Sequence, residues 1–251
     1  MPLPPAGPPV ARSDESREVS ELKKGDLKKQ EILSTAEDFF CRKGYEQTSV
    51  QDIIDRLNSS KGSFYHHFAS KEALLEGICA NRAEQIFSVA SEEASRAGSS
   101  LERLNILLAG MLPFREEKLS FLLMLLPVFA LPEGRTVREY YSSALISLFR
   151  GSVCRQIESA GEEGELFCED PEIAADLILS LVSRLWIRIT DLIIEAENRR
   201  SEPDLSECLR LTESCRICIE RYLFLPFGSL SLTDISSLRL TIGQIHTHWM
   251  Q

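Results

Sequence analysis

The decapeptide SSKGSFYHHF, Ser59–Phe68, decides how the chain is read. It places a lysine, a glycine, small hydroxyls, a tyrosine and two adjacent histidines between two strongly apolar-patterned stretches. Three explanations compete: a metal or catalytic site at His66 and His67, an ordinary surface helix, or a face that reads nucleic acid.

The flanks narrow the choice. Upstream, Ile32, Ala36, Phe39 and Phe40 fall at helical spacing, and the pattern stops near Gly44. Next, Thr48 and Gln51 stand three apart, a capping-box pattern that opens a second helix. Val50, Ile53, Ile54 and Leu57 give that helix one apolar face. Asn58 follows and tolerates the left-handed backbone of a tight turn. Ser60 is the expected N-cap of a third helix that buries Phe64 and Phe68. Ser70 caps a fourth, with Leu74, Leu75 and Ile78 facing inward. Two short helices joined by a tight turn form a helix-turn-helix, whose second helix enters the DNA major groove. The decapeptide is that second helix.

Adjacent helix positions point about 100° apart, so His66 and His67 cannot share a metal. Cys208, Leu211, Cys215 and Cys218 have the spacing of a packed helical seam, which argues against a redox or zinc site. His246 and His248 have no partner cluster and carry no assignment. No nucleophile, carboxylate pair or metal set is clustered, so an enzyme is not expected.

Composition is that of an ordinary soluble globular protein. The 251 residues are 43% hydrophobic and 26% charged, with a net charge of −10. That sum opposes non-specific coating of nucleic acid. Its distribution matters more: residues 1–27 sum to −1, residues 28–82 to 0 and residues 83–251 to −9. A neutral head binds DNA if its few cations share one face. Seven scattered cysteines are read as reduced thiols in a cytoplasmic protein. The proline-rich MPLPPAGPPVARS has no apolar core of a signal peptide. FLLMLLPVFAL, Phe121 to Leu131, is too short to span a bilayer and is read as a buried, kinked helix.

The expected organisation is a disordered tail at 1–25, a DNA-binding head at 26–86 and a helical body at 87–226. The tail at 227–251 is ambiguous. Body helices are expected at roughly 83–97, 101–112, 117–131, 136–160, 171–197 and 204–224.

The segment ILSTAEDFFCRKGYEQTSVQDIIDRLNSSKGSFYHHFASKEALL resembles the DNA-binding head of the TetR family of bacterial repressors. The likeness runs from Lys28 to about Ile78, through the A-x-x-x-F-x-x-x-G-Y, T-[ST]-V-x-D-I, S-K-G-[ST]-x-Y-x-H-F and K-E-x-L patterns. One departure is LNS where the family usually carries an apolar residue, glycine and valine. The body resembles the family only in being all-helical and in its ERYLFLPFGS stretch.

The resemblance implies an all-α fold, with an N-terminal three-helix head followed by a larger ligand-binding and dimerisation domain. It implies that Ser60, Lys61, Gly62 and Ser63 open the recognition helix, where lysine and serine can bond base edges. It implies phosphate contacts at Thr48, Tyr65, His67 and Lys71, while His66 lies between the matched positions and is read as either a phosphate contact or solvated surface. It further implies a homodimer, double-stranded operator DNA as partner and a small-molecule effector, with no cofactor and no membrane. The expected dimer residues are Leu177, Leu181, Leu185, Leu211, Cys215 and Ile219. The expected pocket residues are Phe114, Phe121, Met124, Phe129, Tyr140, Tyr141 and Phe149, a set suited to an apolar or amphipathic ligand. The favoured function is a repressor released from a pseudo-palindromic operator by that ligand. The rival is a DNA-binding protein of the same fold with a non-transcriptional role, such as nucleoid organisation.

Overall fold

The computed structural model describes residues 13–131 and 134–249. Among these residues the chain forms ten α-helices and no strand. The head comprises α1 (Ser13–Lys43), α2 (Val50–Arg56), α3 (Lys61–His67) and the first half of α4 (Lys71–Ser95). The body adds α5 (Ser100–Met111), a single turn at Glu116–Lys118, α6 (Leu119–Phe129), α7 (Gly134–Glu162), α8 (Pro171–Asn198), α9 (Leu205–Tyr222) and α10 (Ile235–Trp249).

The chain departs from the sequence reading at both ends. Of the expected disordered tail, residues 1–12 lie outside the described residues, but residues 13–25 are the first turns of α1. SDESREVSELKKGDL has no helix-breaking proline, and it continues directly into the apolar stripe that buries Ile32, Leu33, Ala36 and Phe40. A packed stripe supports a longer helix than its own length. The ambiguous C-terminal stretch is helical too. Leu238, Ile242 and Ile245 recur at helical spacing and are buried, which makes α10 an amphipathic helix against the body. Pro132 and Glu133, within the expected break before α7, lie outside the described residues.

Several of these helix starts have a side-chain cap. Ser70, Ser99, Asp170 and Asp204 cap α4, α5, α8 and α9 by accepting backbone amides of the first turn. Pro171 occupies the start of α8, where its missing N–H costs nothing. The link between α9 and α10 is held by Glu220. Its carboxylate is buried, pairs with Arg216, and accepts the amides of Leu230 at 2.9 Å and Gly228 at 3.2 Å. A buried carboxylate persists only when so satisfied. Long α4 packs against α1 of the head and against α5 and α7 of the body.

Candidate nucleic-acid interface

The second helix begins one residue later than the sequence pattern suggests. Ser49, not Thr48, is the N-cap of α2, and Asp52, not Gln51, completes the capping box. Ser49 Oγ accepts the Asp52 amide at 3.1 Å, and Asp52 Oδ2 accepts the Ser49 amide at 2.8 Å. The Ser49 amide, with Lys43 at 2.9 Å, holds the Asp52 carboxyl down at about 2. Thr48 is buried, and its hydroxyl donates to the Gly44 carbonyl at 2.8 Å. Both residues fit the short polar pattern before α2. Burial assigned Thr48 to the turn after α1, where Gly44 takes φ 89°. The Thr48 hydroxyl, expected to meet phosphate, is thus engaged within the head itself.

Asn58 turns the chain between α2 and α3 with φ 45°. Asparagine reaches that region with less strain than most side chains. Ser60 then caps α3, its Oγ accepting the Ser63 amide at 3.1 Å. Phe64 and Phe68 anchor the inner face of α3, both buried. Gly77 of α4 makes this anchoring close: a Cβ there would sit 2.8 Å from the Phe68 ring and 3.0 Å from Leu33.

The outer face follows from that anchoring. Ser60, Lys61, Gly62, Tyr65 and His66 are exposed, while Ser63 and His67 are half-buried. Any side chain at Gly62 would have open room except for Ser60 Oγ at 3.9 Å. The helix thus presents its first turn and one flank to solvent. Partial burial, then the charges of His66, Lys29 and Lys28, lower the pKa of His67. Lys71 is half-buried, and its ammonium lies 4.0 Å over the Tyr45 ring. Burial lowers its pKa, against the pull of Glu46 and Glu72. Tyr45, noted in the sequence only as the end of the G-Y pattern, thus packs on Lys71 beside the interface. No group of three or more His, Cys, Asp or Glu among the described residues is placed to hold a metal.

The family of bacterial regulatory proteins, tetR family, matches residues 32–78, which span α1 from its apolar stripe through the first turns of α4. Residues 32–78 thus match the DNA-binding segment of the TetR family. It is 28% identical over 177 residues to the HTH-type transcriptional regulator YerO of Bacillus subtilis, covering 68% of this chain and 60% of that protein. It is 34% identical over 77 residues to the HTH-type transcriptional repressor KstR2 of Mycolicibacterium smegmatis, covering 31% of this chain and 38% of that protein. The matched chain thus spans less than two thirds of either relative. A TetR-family regulator from Pectobacterium atrosepticum has the same fold, at 17% identity and a TM-score of 0.59 over 81% of this chain and 98% of that one.

Within the helical body, the residues named from sequence separate by burial. Phe114, Phe121, Met124, Phe129, Tyr141 and Phe149 are buried, whereas Tyr140 is exposed. Tyr140 borders a surface cleft of about 310 Å³ with Lys29 and His67. The buried rings pack on one another: Phe121 on Tyr141 at 5.7 Å, and Tyr141 on Trp186 at 5.9 Å. Trp186 of α8 joins this aromatic cluster, and its buried Nε1 has no hydrogen-bond partner among the described residues.

Of the expected dimer residues, Leu177 is exposed, Leu181 and Leu211 are half-buried, and Leu185, Cys215 and Ile219 are buried within the chain itself. The face read from sequence thus covers both an internal seam and an outer one. Exposed apolar residues near the start of α8 and the end of α9 are Phe167, Ile173, Leu177, Tyr222, Phe224 and Phe227. Phe167 and Phe224 touch at 5.5 Å, and the Phe167 amide donates to the Leu223 carbonyl at 3.0 Å. Among the described residues no helix is long and apolar enough to cross a membrane.

Proposed function

We propose that the protein is a homodimeric, DNA-binding transcriptional repressor released from a pseudo-palindromic operator by a small apolar or amphipathic ligand. The observation that carries this is the outer face of α3. Lys61, Gly62, Tyr65 and His66 face solvent together, on a helix held from behind by Phe64 and Phe68. Such a helix has no packing reason to expose a glycine and an aromatic side by side. A close approach to DNA supplies one. Lys61 donates to base edges from the first turn, while Tyr65 and His67 donate to phosphate.

One head offers too few cations for tight binding at physiological salt, so two heads are needed. The apolar end of α8 and α9 supports a second copy there, because large exposed patches of that kind mark contacts. The two recognition helices then read half-sites about one helical turn apart. The effector is drawn to the aromatic cluster of the body, where the unpartnered Trp186 N–H would find an acceptor. It acts only by preferring the conformation that does not fit the operator.

The test is genome-wide mapping of bound sites, followed by mobility shifts on the sequences recovered. A repressor occupies one or a few promoters, and Lys61→Ala relaxes base preference at a cost of about 1–3 kcal/mol on the preferred site. Dispersed occupancy without a common sequence contradicts the proposal.

A further inference from the structure

A groove of about 920 Å³ lies between the start of α6 and the outer stripe of α10. Leu119 and Leu123 form its α6 wall, and Arg239, Leu240, Gly243 and His248 belong to its α10 wall. The α10 lining runs from Ile235 to His248, roughly 20 Å at the helical rise of 1.5 Å per residue. Its apolar side chains are not sealed by the fold, since Ile235 is 58% exposed and Leu240 is 49% exposed.

Two features make this a built groove. Gly243 stands in the interior of α10, where glycine weakens a helix. A Cβ there would meet nothing within 4 Å, so no close packing requires the glycine. It leaves the groove open instead. Arg239 is exposed in the groove and, among the described residues, has no carboxylate within ion-pair distance. An exposed guanidinium beside leucines, in a segment (residues 83–251) of net charge −9, complements an anion with an apolar tail.

We infer that this groove is a second ligand site, separate from the aromatic cluster, for a single-chain amphipathic carboxylate. The chain lies along Leu119, Leu123 and Leu240, and the carboxylate meets Arg239. The site adjoins the contact between body and head. Ser120, next to Leu119, accepts the Cys41 thiol of α1 at 3.8 Å, and the Phe121 ring lies 5.4 Å from the Arg82 guanidinium of α4. A bound chain therefore bears on the helix that touches the head. Any effect on operator binding rests on the function proposed above, but the binding itself does not.

The experiment is calorimetric titration of the DNA-free full chain with decanoate and with decanol, each below its aggregation onset. Saturable binding of one decanoate per chain is expected, with decanol weaker by about tenfold, the size of one charge-assisted hydrogen bond. Arg239→Gln should erase the preference for the acid, and Arg239→Lys should keep part of it. Gly243→Phe should fill the groove and abolish binding of both. The far-UV spectrum verifies the fold, and Arg239→Gln, a surface change, gives a second readout should Gly243→Phe misfold. Absence of saturable binding, equal affinity for acid and alcohol, or undiminished binding to a folded Gly243→Phe variant overturns the inference. Because no DNA is present, each of these results leaves the reading of α3 untouched.

Discussion

Arg82 donates from Nε to Oε1 of Glu37 at 2.6 Å, joining α4 to α1 across 45 residues of sequence. The Glu37 side chain is only 13% exposed, so the pair is partly withdrawn from water. The same guanidinium faces the Phe121 ring of α6, which places one cation at the junction of both head helices and the body. Arg82→Ala should strand the Glu37 carboxylate and cost about 1–2 kcal/mol, below the figure for a fully buried pair because solvent still reaches the arginine. Glu37→Gln in the same chain should recover part of the loss. Urea unfolding of the two single variants and the double variant measures the coupling, and additive losses would show that the pair contributes nothing of its own.

The one-residue shift at the start of α2 separates two neighbouring hydroxyls. Ser49→Ala should cost about 1 kcal/mol through loss of the cap. Thr48→Val keeps the shape but removes the donor to Gly44, and should also cost about 1 kcal/mol. Neither should change the salt dependence of DNA affinity, because neither removes a phosphate contact. A shallower salt slope for Thr48→Val would return Thr48 to the interface.

Those two residues also mark how far the sequence could be read. The helix-turn-helix was legible because its signals are local: Gly44, Asn58, Ser60 and the Phe64–Phe68 spacing each constrain a few neighbouring residues. The choice between Thr48 and Ser49 was not, since both fit a hydroxyl-x-x-polar pattern and only burial against α1 decides. The same limit applies in the body. Ile219 and Leu177 are both apolar on long amphipathic helices, and periodicity cannot tell an internal seam from an outer one. For α10, the apolar spacing was present but followed a proline- and glycine-bearing link. Glu220 holds that link through contacts distant in sequence.

Lys118 gives a pH signature. Its ammonium donates to the carbonyls of Gly110 at 2.6 Å and Leu112 at 3.0 Å, closing the end of α5. Burial, aided by Arg115, lowers its pKa to about 8, against an ordinary 10.5. Between those values the unfolded chain binds more protons than the folded one, so this group makes stability rise with pH. Below about pH 8 both states carry the charge, and its burial penalty is felt in full. The slope is at most about 1.4 kcal/mol per pH unit. Other groups titrate in the same range, so the check is the stability difference between the native chain and Lys118→Met from pH 7 to pH 10. That difference should move in favour of the native chain as pH rises. A flat difference would mean that the amine is as well solvated folded as unfolded.

The last prediction separates the outer seam of α8 and α9 from the inner one. Leu177 is 53% exposed and Ile219 is 1% exposed, although sequence spacing assigned both to one interface. Leu177→Glu puts a carboxylate where water already reaches, so the isolated chain should keep its fold. If two copies meet at this end, that charge is buried against an apolar partner, and dimerisation should weaken by several kcal/mol. Phe227→Glu should act the same way, because Phe227 is 78% exposed and stacks on Arg216 at 4.4 Å rather than filling the core. Ile219→Glu should unfold the chain before any question of assembly arises. Sedimentation reports mass and far-UV spectra report fold. Monomeric, folded Leu177→Glu and Phe227→Glu proteins that no longer hold a palindromic operator would fix the outer seam as the dimer face. Dimers that survive both substitutions would move the interface elsewhere, since no buried residue can contact a partner without first leaving the core.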